Sequence, residues 1–300
     1  MAAKLAHGIL PALCTPFDDS GQDVAAQRVP PLVGHLLEVG STGFFVCGST
    51  GEGAALSVPE RQRMAEAVVG AVARAAPVIV QVGATTSDNA VVLARHAAAC
   101  GADAVASVVP VDRPNDLAAA VEHYAAIGAA TDLPFYAYWI AQTADRRVTA
   151  EQYLEAMQRV PNFAGVKFTD TNFFLFEGLV DLSAGRLNMI SGPDEMCLAG
   201  MVMGSDAAIG TTYNVMPRLF VAMRRAFEAG DVRRAMELQV RANRVIRFLV
   251  RTGAVLAAVK ALLAWRGLPV GPTRPPQPAL CPAGEAVLRR GLETLGFEVA

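Results

Sequence analysis

Three of the 26 basic residues are lysines, at positions 4, 167 and 260, and the others are arginines. In a chain so biased toward arginine, a lysine inside an apolar run (Gly165-Val-Lys167-Phe-Thr169) points to chemistry that a guanidinium cannot do. A guanidinium stays protonated and does not attack a carbonyl, whereas a desolvated amine does. Burial disfavours the ammonium and brings its pKa toward the range of about 7–8 that suits imine formation. A strand-end lysine in a salt bridge is the structural alternative, and the lysine taken alone favours that alternative. Lys260, in the run AVLAAVKALLAW, reads as structural, and Lys4 as a terminal surface residue.

Other polar clusters also sit at the ends of apolar runs. Cys47-Gly-Ser-Thr-Gly-Glu52 is a loop of small residues and hydroxyls whose backbone N–H groups can approach an anion closely. It matches neither the dinucleotide G-x-G-x-x-G fingerprint nor the Gly-Lys-Ser/Thr ending of a P-loop. On its own it reads as a tight turn or a small carboxylate pocket. In Pro134-Phe-Tyr-Ala-Tyr-Trp-Ile140, strand alternation puts Tyr136 and Tyr138 on one face and Phe135 and Trp139 on the other. Tyr138 near the run's end can carry a proton, although aromatic strand residues are also ordinary core. Asp194 and Glu195, in Gly192-Pro-Asp-Glu195, either bind substrate hydroxyls or cap the next helix. Ile209-Gly-Thr-Thr-Tyr-Asn214 is a further cluster of glycine and hydroxyls. The four histidines (7, 35, 96 and 123) have no HxH or HExxH spacing and no G-x-S-x-G occurs, which argues against a metal centre and a serine hydrolase.

For these points to act together, one scaffold must bring them to one end. Apolar runs at 8–15, 43–47, 78–82, 104–109, 135–140, 163–168, 187–191 and 207–210 alternate with longer amphipathic stretches. Runs such as GFFVC and PVIVQV are nearly all apolar, which suits parallel strands buried on both faces. Ser57-Val-Pro-Glu60 and Thr149-Ala-Glu-Gln152 read as capping boxes that start two helices. Eight strand–helix units predict an α/β fold, a (β/α)8 TIM barrel, with an open doubly wound sheet as the rival. A barrel carries its chemistry at the C-terminal strand ends, where each cluster above falls. Residues 1–230 form the barrel in this reading. Residues 231–300 form a C-terminal helical extension packed on it, with helices at 232–252, 254–265 and 283–295 and a proline-rich stretch before the last.

With 53% hydrophobic and 18% charged residues, the 300-residue chain can bury a large core and is not disordered. A net charge of −2 offers no basic footprint for nucleic acid, and charges interrupt every apolar run before it could span a membrane. The five cysteines (14, 47, 100, 197 and 281) are far apart and form no CxxC, which fits free thiols in a reducing cytoplasm. The N-terminal segment reads as a first strand rather than a signal peptide.

Taken in order, the GSTGE loop, the tyrosine ending strand five, GVK on strand six, GPDE and IGTTYN resemble the dihydrodipicolinate synthase/N-acetylneuraminate lyase family. The resemblance covers almost the whole chain, including the helical tail. It implies a (β/α)8 barrel, a homotetramer or homodimer, that joins a lysine to pyruvate or another 2-oxo acid as a Schiff base, with no metal or organic cofactor. By position it implies Lys167 as the imine-forming lysine, Tyr138 as the proton-transferring phenol and Ser49 as a member of the proton relay. Gly48, Ser49 and Thr50 would hold the 2-oxo acid's carboxylate, with Ile209 and Gly210 lining the same pocket.

Synthases of the family carry Y-N-V-P-x-R after strand five, with the arginine binding the second substrate's carboxylate. Here Tyr138-Trp-Ile-Ala-Gln-Thr143 ends in threonine. GPDE and KFTDTN are closer to the sialic acid lyases, in which Thr169, Gly192, Asp194, Glu195 and Thr211 would contact a sugar chain's hydroxyls. The expected reaction is cleavage of a 2-oxo-3-deoxy sugar acid, such as N-acetylneuraminate, to pyruvate and an aldehyde. The alternatives are 4-hydroxy-tetrahydrodipicolinate synthase, which condenses pyruvate with aspartate semialdehyde, and a non-catalytic barrel that senses a 2-oxo acid. Two departures from the family pattern bear on the pocket. Ala141 stands in the place of a proline, beside Trp139, and Asp112 and Arg113 stand where a tyrosine pair often follows strand four.

Overall fold

The structure, a computed structural model, describes residues 4–110 and 113–297. Its strands are β1 (Gly8–Pro11), β2 (Phe44–Val46), β3 (Val78–Gln81), β4 (Ala104–Ser107), β5 (Phe135–Ile140), β6 (Phe163–Thr169), β7 (Asn188–Ser191) and β8 (Ala207–Gly210). All pair in parallel, in the order β1-β8-β7-β6-β5-β4-β3-β2. A parallel bridge from Ala12 to Phe45, with Leu13 N–H donating to the Phe45 carbonyl at 2.9 Å, brings the two ends of this order together. An open doubly wound sheet would keep two separate edges, so the fold is the TIM barrel.

The apolar run at 8–15 outlasts β1, because beyond Pro11 the chain turns across the barrel mouth. There the Asn214 side chain accepts from Cys14 N–H at 3.2 Å and donates to the Ala12 carbonyl at 2.7 Å. The helices α1 (Val29–Glu38), α2 (Val58–Val72), α3 (Ser87–Ala99), α4 (Leu117–Gly128), α5 (Ala150–Met157), α6 (Phe173–Ser183), α7 (Cys197–Val202) and α8 (Pro217–Glu228) surround the strands. Both expected capping boxes form, with Ser57 accepting from Glu60 N–H and Thr149 from Gln152 N–H while the Glu and Gln side chains reach back. Three more helices follow, α9 (Val232–Arg251), α10 (Val255–Trp265) and α11 (Pro282–Thr294). No single described helix is long and apolar enough to cross a membrane.

Strand alternation sorts the buried side chains into two cores. Leu10, Phe45, Ile79, Tyr136, Tyr138 and Ile190 fill the barrel interior. Phe44, Val80, Trp139, Phe168 and Met189, one residue out of phase, pack against the helices. This division fixes which strand-end residues face the mouth.

Candidate active site

Tyr138 on β5 pairs directly with Lys167 on β6, and both side chains are buried in the barrel, 5% and 4% exposed. Lys167 Nζ lies 3.5 Å from the centroid of the Tyr138 ring and 4.5 Å from that of Phe45, and the two rings meet edge-on at 5.5 Å. Burial pushes the Lys167 ammonium below its ordinary pKa of 10.5, against an opposing pull from Tyr138 and Asp194. Burial raises the Tyr138 phenol, but the Lys167 charge and neighbouring hydroxyls outweigh it, so the phenol falls below its ordinary 10.0. The other two lysines are ion-paired, Lys4 with Asp206 at 2.8 Å and Lys260 with Glu52 at 2.6 Å. Lys167 makes no such pair among the described residues, so the salt-bridge alternative does not hold. Lys260, with its side chain 2% exposed, is held away from the Lys167 cluster in that ion pair.

The Gly48–Thr50 turn follows β2 after one residue, Cys47. Cys47 and Glu52, with φ of 59° and 54°, take left-handed conformations that bend the chain over the mouth. Ser49 is exposed there, and its hydroxyl is among the groups that lower the Tyr138 phenol. Thr50 is buried, with Oγ1 2.7 Å from Thr211 Oγ1, which joins the loop after β2 to the loop after β8. Ile209 and Gly210, buried at the end of β8, complete that side.

Asp194 does not cap α7, whose N-cap Met196 has no side-chain cap bond. One of its carboxylate oxygens, Oδ2, accepts from Thr212 N–H at 2.7 Å and Thr212 Oγ1 at 2.6 Å, and burial pushes its pKa up to about 6. The other, Oδ1, lies where a Cβ on Gly210 would come within 1.9 Å of it, so only glycine fits at that strand end. Gly192 is required in the same way by Thr169, whose Oγ1 would stand 1.9 Å from an added Cβ. Thr169 Oγ1 is buried near the phenol yet makes no hydrogen bond of ordinary geometry among the described residues. Glu195 is exposed.

Several supporting residues escaped the sequence reading because they act across long separations. Gln239 and Asn243 of α9 donate to the carbonyls of Asp194 and Glu195 at 3.1 and 3.0 Å, bracing the loop after β7. Asp170, buried just past β6, accepts from Trp139 Nε1 at 3.1 Å and from Arg146. Trp139 stacks on Phe168 outside the barrel and so does not narrow the mouth. Ala141 N–H donates to the Thr169 carbonyl at 3.2 Å, continuing the β5–β6 ladder. Arg113 is exposed and pairs with Glu122 at 3.6 Å, whereas Asp112 lies outside the described residues. Cavities of about 680 and 730 Å³ run along α9 and are lined by none of Lys167, Tyr138 or Ser49.

The dihydrodipicolinate synthetase family profile matches residues 5–290. N-acetylneuraminate lyase of Rhizobium meliloti (strain 1021) is 35% identical over 291 residues, covering 95% of this chain and 94% of the relative. Among solved structures, Proteus mirabilis N-acetylneuraminate lyase superposes with a TM-score of 0.92 at 28% identity, covering 98% of this chain and all of that one. A Ruminococcus gnavus sialic acid aldolase described as a catalytic lysine mutant gives 0.91 at 28% identity, covering 97% and 95% of the two chains. This chain, a carbon–carbon lyase by these relationships, belongs to the dihydrodipicolinate synthetase family, on its N-acetylneuraminate lyase side.

Proposed function

We propose that this chain is a class I aldolase that cleaves a 2-oxo-3-deoxy sugar acid, N-acetylneuraminate or a close analogue, to pyruvate and an aldehyde. The observation that carries this reading is Lys167, a buried lysine without a carboxylate partner among the described residues, whose Nζ lies 3.5 Å from the Tyr138 ring at the barrel mouth. Its neutral amine attacks the C2 carbonyl carbon, and the carbinolamine hydroxyl takes the proton of the Tyr138 phenol and leaves as water, giving a protonated imine beside a Tyr138 phenolate. The imine nitrogen draws the C3–C4 electron pair as that bond breaks, while Tyr138 takes the proton of the C4 hydroxyl. The aldehyde leaves, the remaining enamine gains a proton at C3, and hydrolysis returns pyruvate and the free lysine.

In this reading the Gly48–Thr50 turn takes the substrate carboxylate, with Ser49 in the proton relay and Ile209 and Gly210 beside it. Thr169, Gly192, Asp194, Glu195 and Thr211 face the hydroxyl chain. Asp194 can do so through Oδ1, since both bonds from Thr212 go to Oδ2. The scheme draws on no metal or organic cofactor. Thr143, uncharged where the synthases carry arginine, disfavours aspartate semialdehyde as a second substrate. The five free cysteines support a cytoplasmic location. Exposed Phe174 and Met236 offer apolar surface for a homodimer or homotetramer, which light scattering would resolve.

Borohydride added with pyruvate should label the protein at Lys167, and pyruvate should appear when N-acetylneuraminate is supplied. Lys167→Arg should fold and lose both, because the charge remains while the nucleophile is gone. An unlabelled wild-type protein would remove the imine, and labelling without turnover of any sugar acid would favour the sensor.

A further inference from the structure

The GSTGE loop is held by more than the barrel. Glu52 at its end has φ 54°, a backbone that a side-chain-bearing residue keeps only when its surroundings pin it. Lys260 of α10 meets its carboxylate at 2.6 Å, with the two side chains 2% and 0% exposed. The second carboxylate oxygen accepts from Arg274 N–H at 2.7 Å. Lys260 also donates to the Pro272 carbonyl at 2.9 Å, and Arg274 donates to Gly21 at 2.7 Å and pairs with Glu60 at 2.8 Å. The Phe17 ring lies 4.3 Å from Lys260 Nζ and 4.1 Å from the Arg274 guanidinium carbon. The helical extension and its proline-rich segment thus converge on one loop residue, two positions from Thr50 and three from Ser49.

A buried ion pair is a weak source of net stability, because desolvating both charges cancels most of their attraction. What it supplies here is geometry. The loop's other ties are backbone and hydroxyl bonds: Thr15 Oγ1 donates to the Gly51 carbonyl at 2.6 Å, Glu52 N–H to that of Ser49 at 3.1 Å, Gly53 N–H to that of Gly48 at 3.0 Å and Ala55 N–H to that of Glu52 at 2.8 Å, and Thr50 meets Thr211. None of these fixes the Glu52 side chain.

We propose that Glu52 and Lys260 are positioning residues, whose buried pair lets the C-terminal extension hold the Gly48–Thr50 turn in the shape that receives a 2-oxo acid's carboxylate. This rests on the imine reading above, with the turn as its carboxylate pocket. If the pair merely fastened the extension to the barrel, its loss would lower stability and leave pyruvate affinity of the folded protein unchanged.

Borohydride trapping of the full-length chain at graded pyruvate concentrations separates the two. The variants are Lys260→Met, Glu52→Gln and the double substitution. Either single change strands one buried charge, whereas removing both relieves that cost, so the double variant remains folded for the test even where a single one does not. The expected result is a pyruvate concentration for half-maximal trapping raised about ten- to hundredfold in the double variant, as for a misplaced binding group. Trapping at saturating pyruvate should stay near the wild-type level. A double variant with wild-type half-saturation overturns the proposal alone. A wild-type protein that pyruvate does not label overturns the imine reading and this proposal with it.

Discussion

Lys167 Nζ lies 3.5 Å from the centre of the Tyr138 ring, at positions that face each other across the β5–β6 pair. Their titrations are coupled, since each charged form favours the other. Because burial lowers the Lys167 pKa, pyruvate trapping should rise with pH as the neutral amine forms, reaching half its plateau below 10.5. Tyr138→Phe removes a group that raises the lysine's pKa, so this midpoint should move to lower pH. Sugar-acid cleavage by the same variant should fall by about a hundred- to ten-thousandfold, the usual contribution of a positioned acid–base group. A trapping profile left unmoved by Tyr138→Phe would contradict the coupling.

Gly192 gives a way to separate the two ends of the proposed sugar-acid substrate. An alanine there places Cβ 1.9 Å from Thr169 Oγ1 and 3.0 Å from the Phe168 carbonyl, so Thr169 must move away. Lys167 lies one step deeper on the same strand face and is not touched. Gly192→Ala should therefore keep pyruvate trapping while kcat/KM for the sugar acid drops about tenfold or more, a loss expected from misplacing one binding group. Equal loss of trapping and turnover would show instead that the whole β6–β7 end had collapsed.

The placement of the strand-end side chains was legible in the sequence because alternation alone decides which neighbours share a face. Tyr138 and Lys167 lie inward and Trp139 and Phe168 outward, as period two requires. The capping boxes were equally local. Asp194 was harder, because a carboxylate before a helix reads as a cap until the fold brings Thr212 to it from the next strand's loop. Glu52 ends the GSTGE loop, but nothing local marks its buried pairing. Its partner Lys260 is more than two hundred positions away, on a helix whose apolar sequence says only that it is buried. The same holds for Asn243 and the Glu195 carbonyl. Such contacts are set by packing between elements, which a residue's sequence neighbours do not encode.

Trp139 illustrates how orientation separates stability from binding. Its indole N–H donates to buried Asp170 at 3.1 Å while the ring stacks 5.6 Å from Phe168 outside the barrel. Trp139→Phe leaves that carboxylate short of one donor and should cost about 1–3 kcal/mol in urea unfolding. KM for the sugar acid should not change. A raised KM with intact stability would mean that the indole reaches the pocket after all.

Asp194 should make stability depend on pH in an unusual direction. Burial raises its pKa from 3.8 to about 6, so across that window the folded protein holds a proton that the unfolded chain has released. Stability then falls as pH rises through the window and stays at its lower value above it. For a shift of about two units the effect is about 3 kcal/mol. Asp194→Asn removes the ionisation, and its amide oxygen can still accept from Thr212. Urea midpoints should therefore drop between pH 4 and pH 7 by more in the wild type than in the variant; parallel curves would refute a buried charge at this position. The same substitution removes one of the charges that favour the Lys167 ammonium, so pyruvate trapping by Asp194→Asn should reach its half-plateau at lower pH than in the wild type.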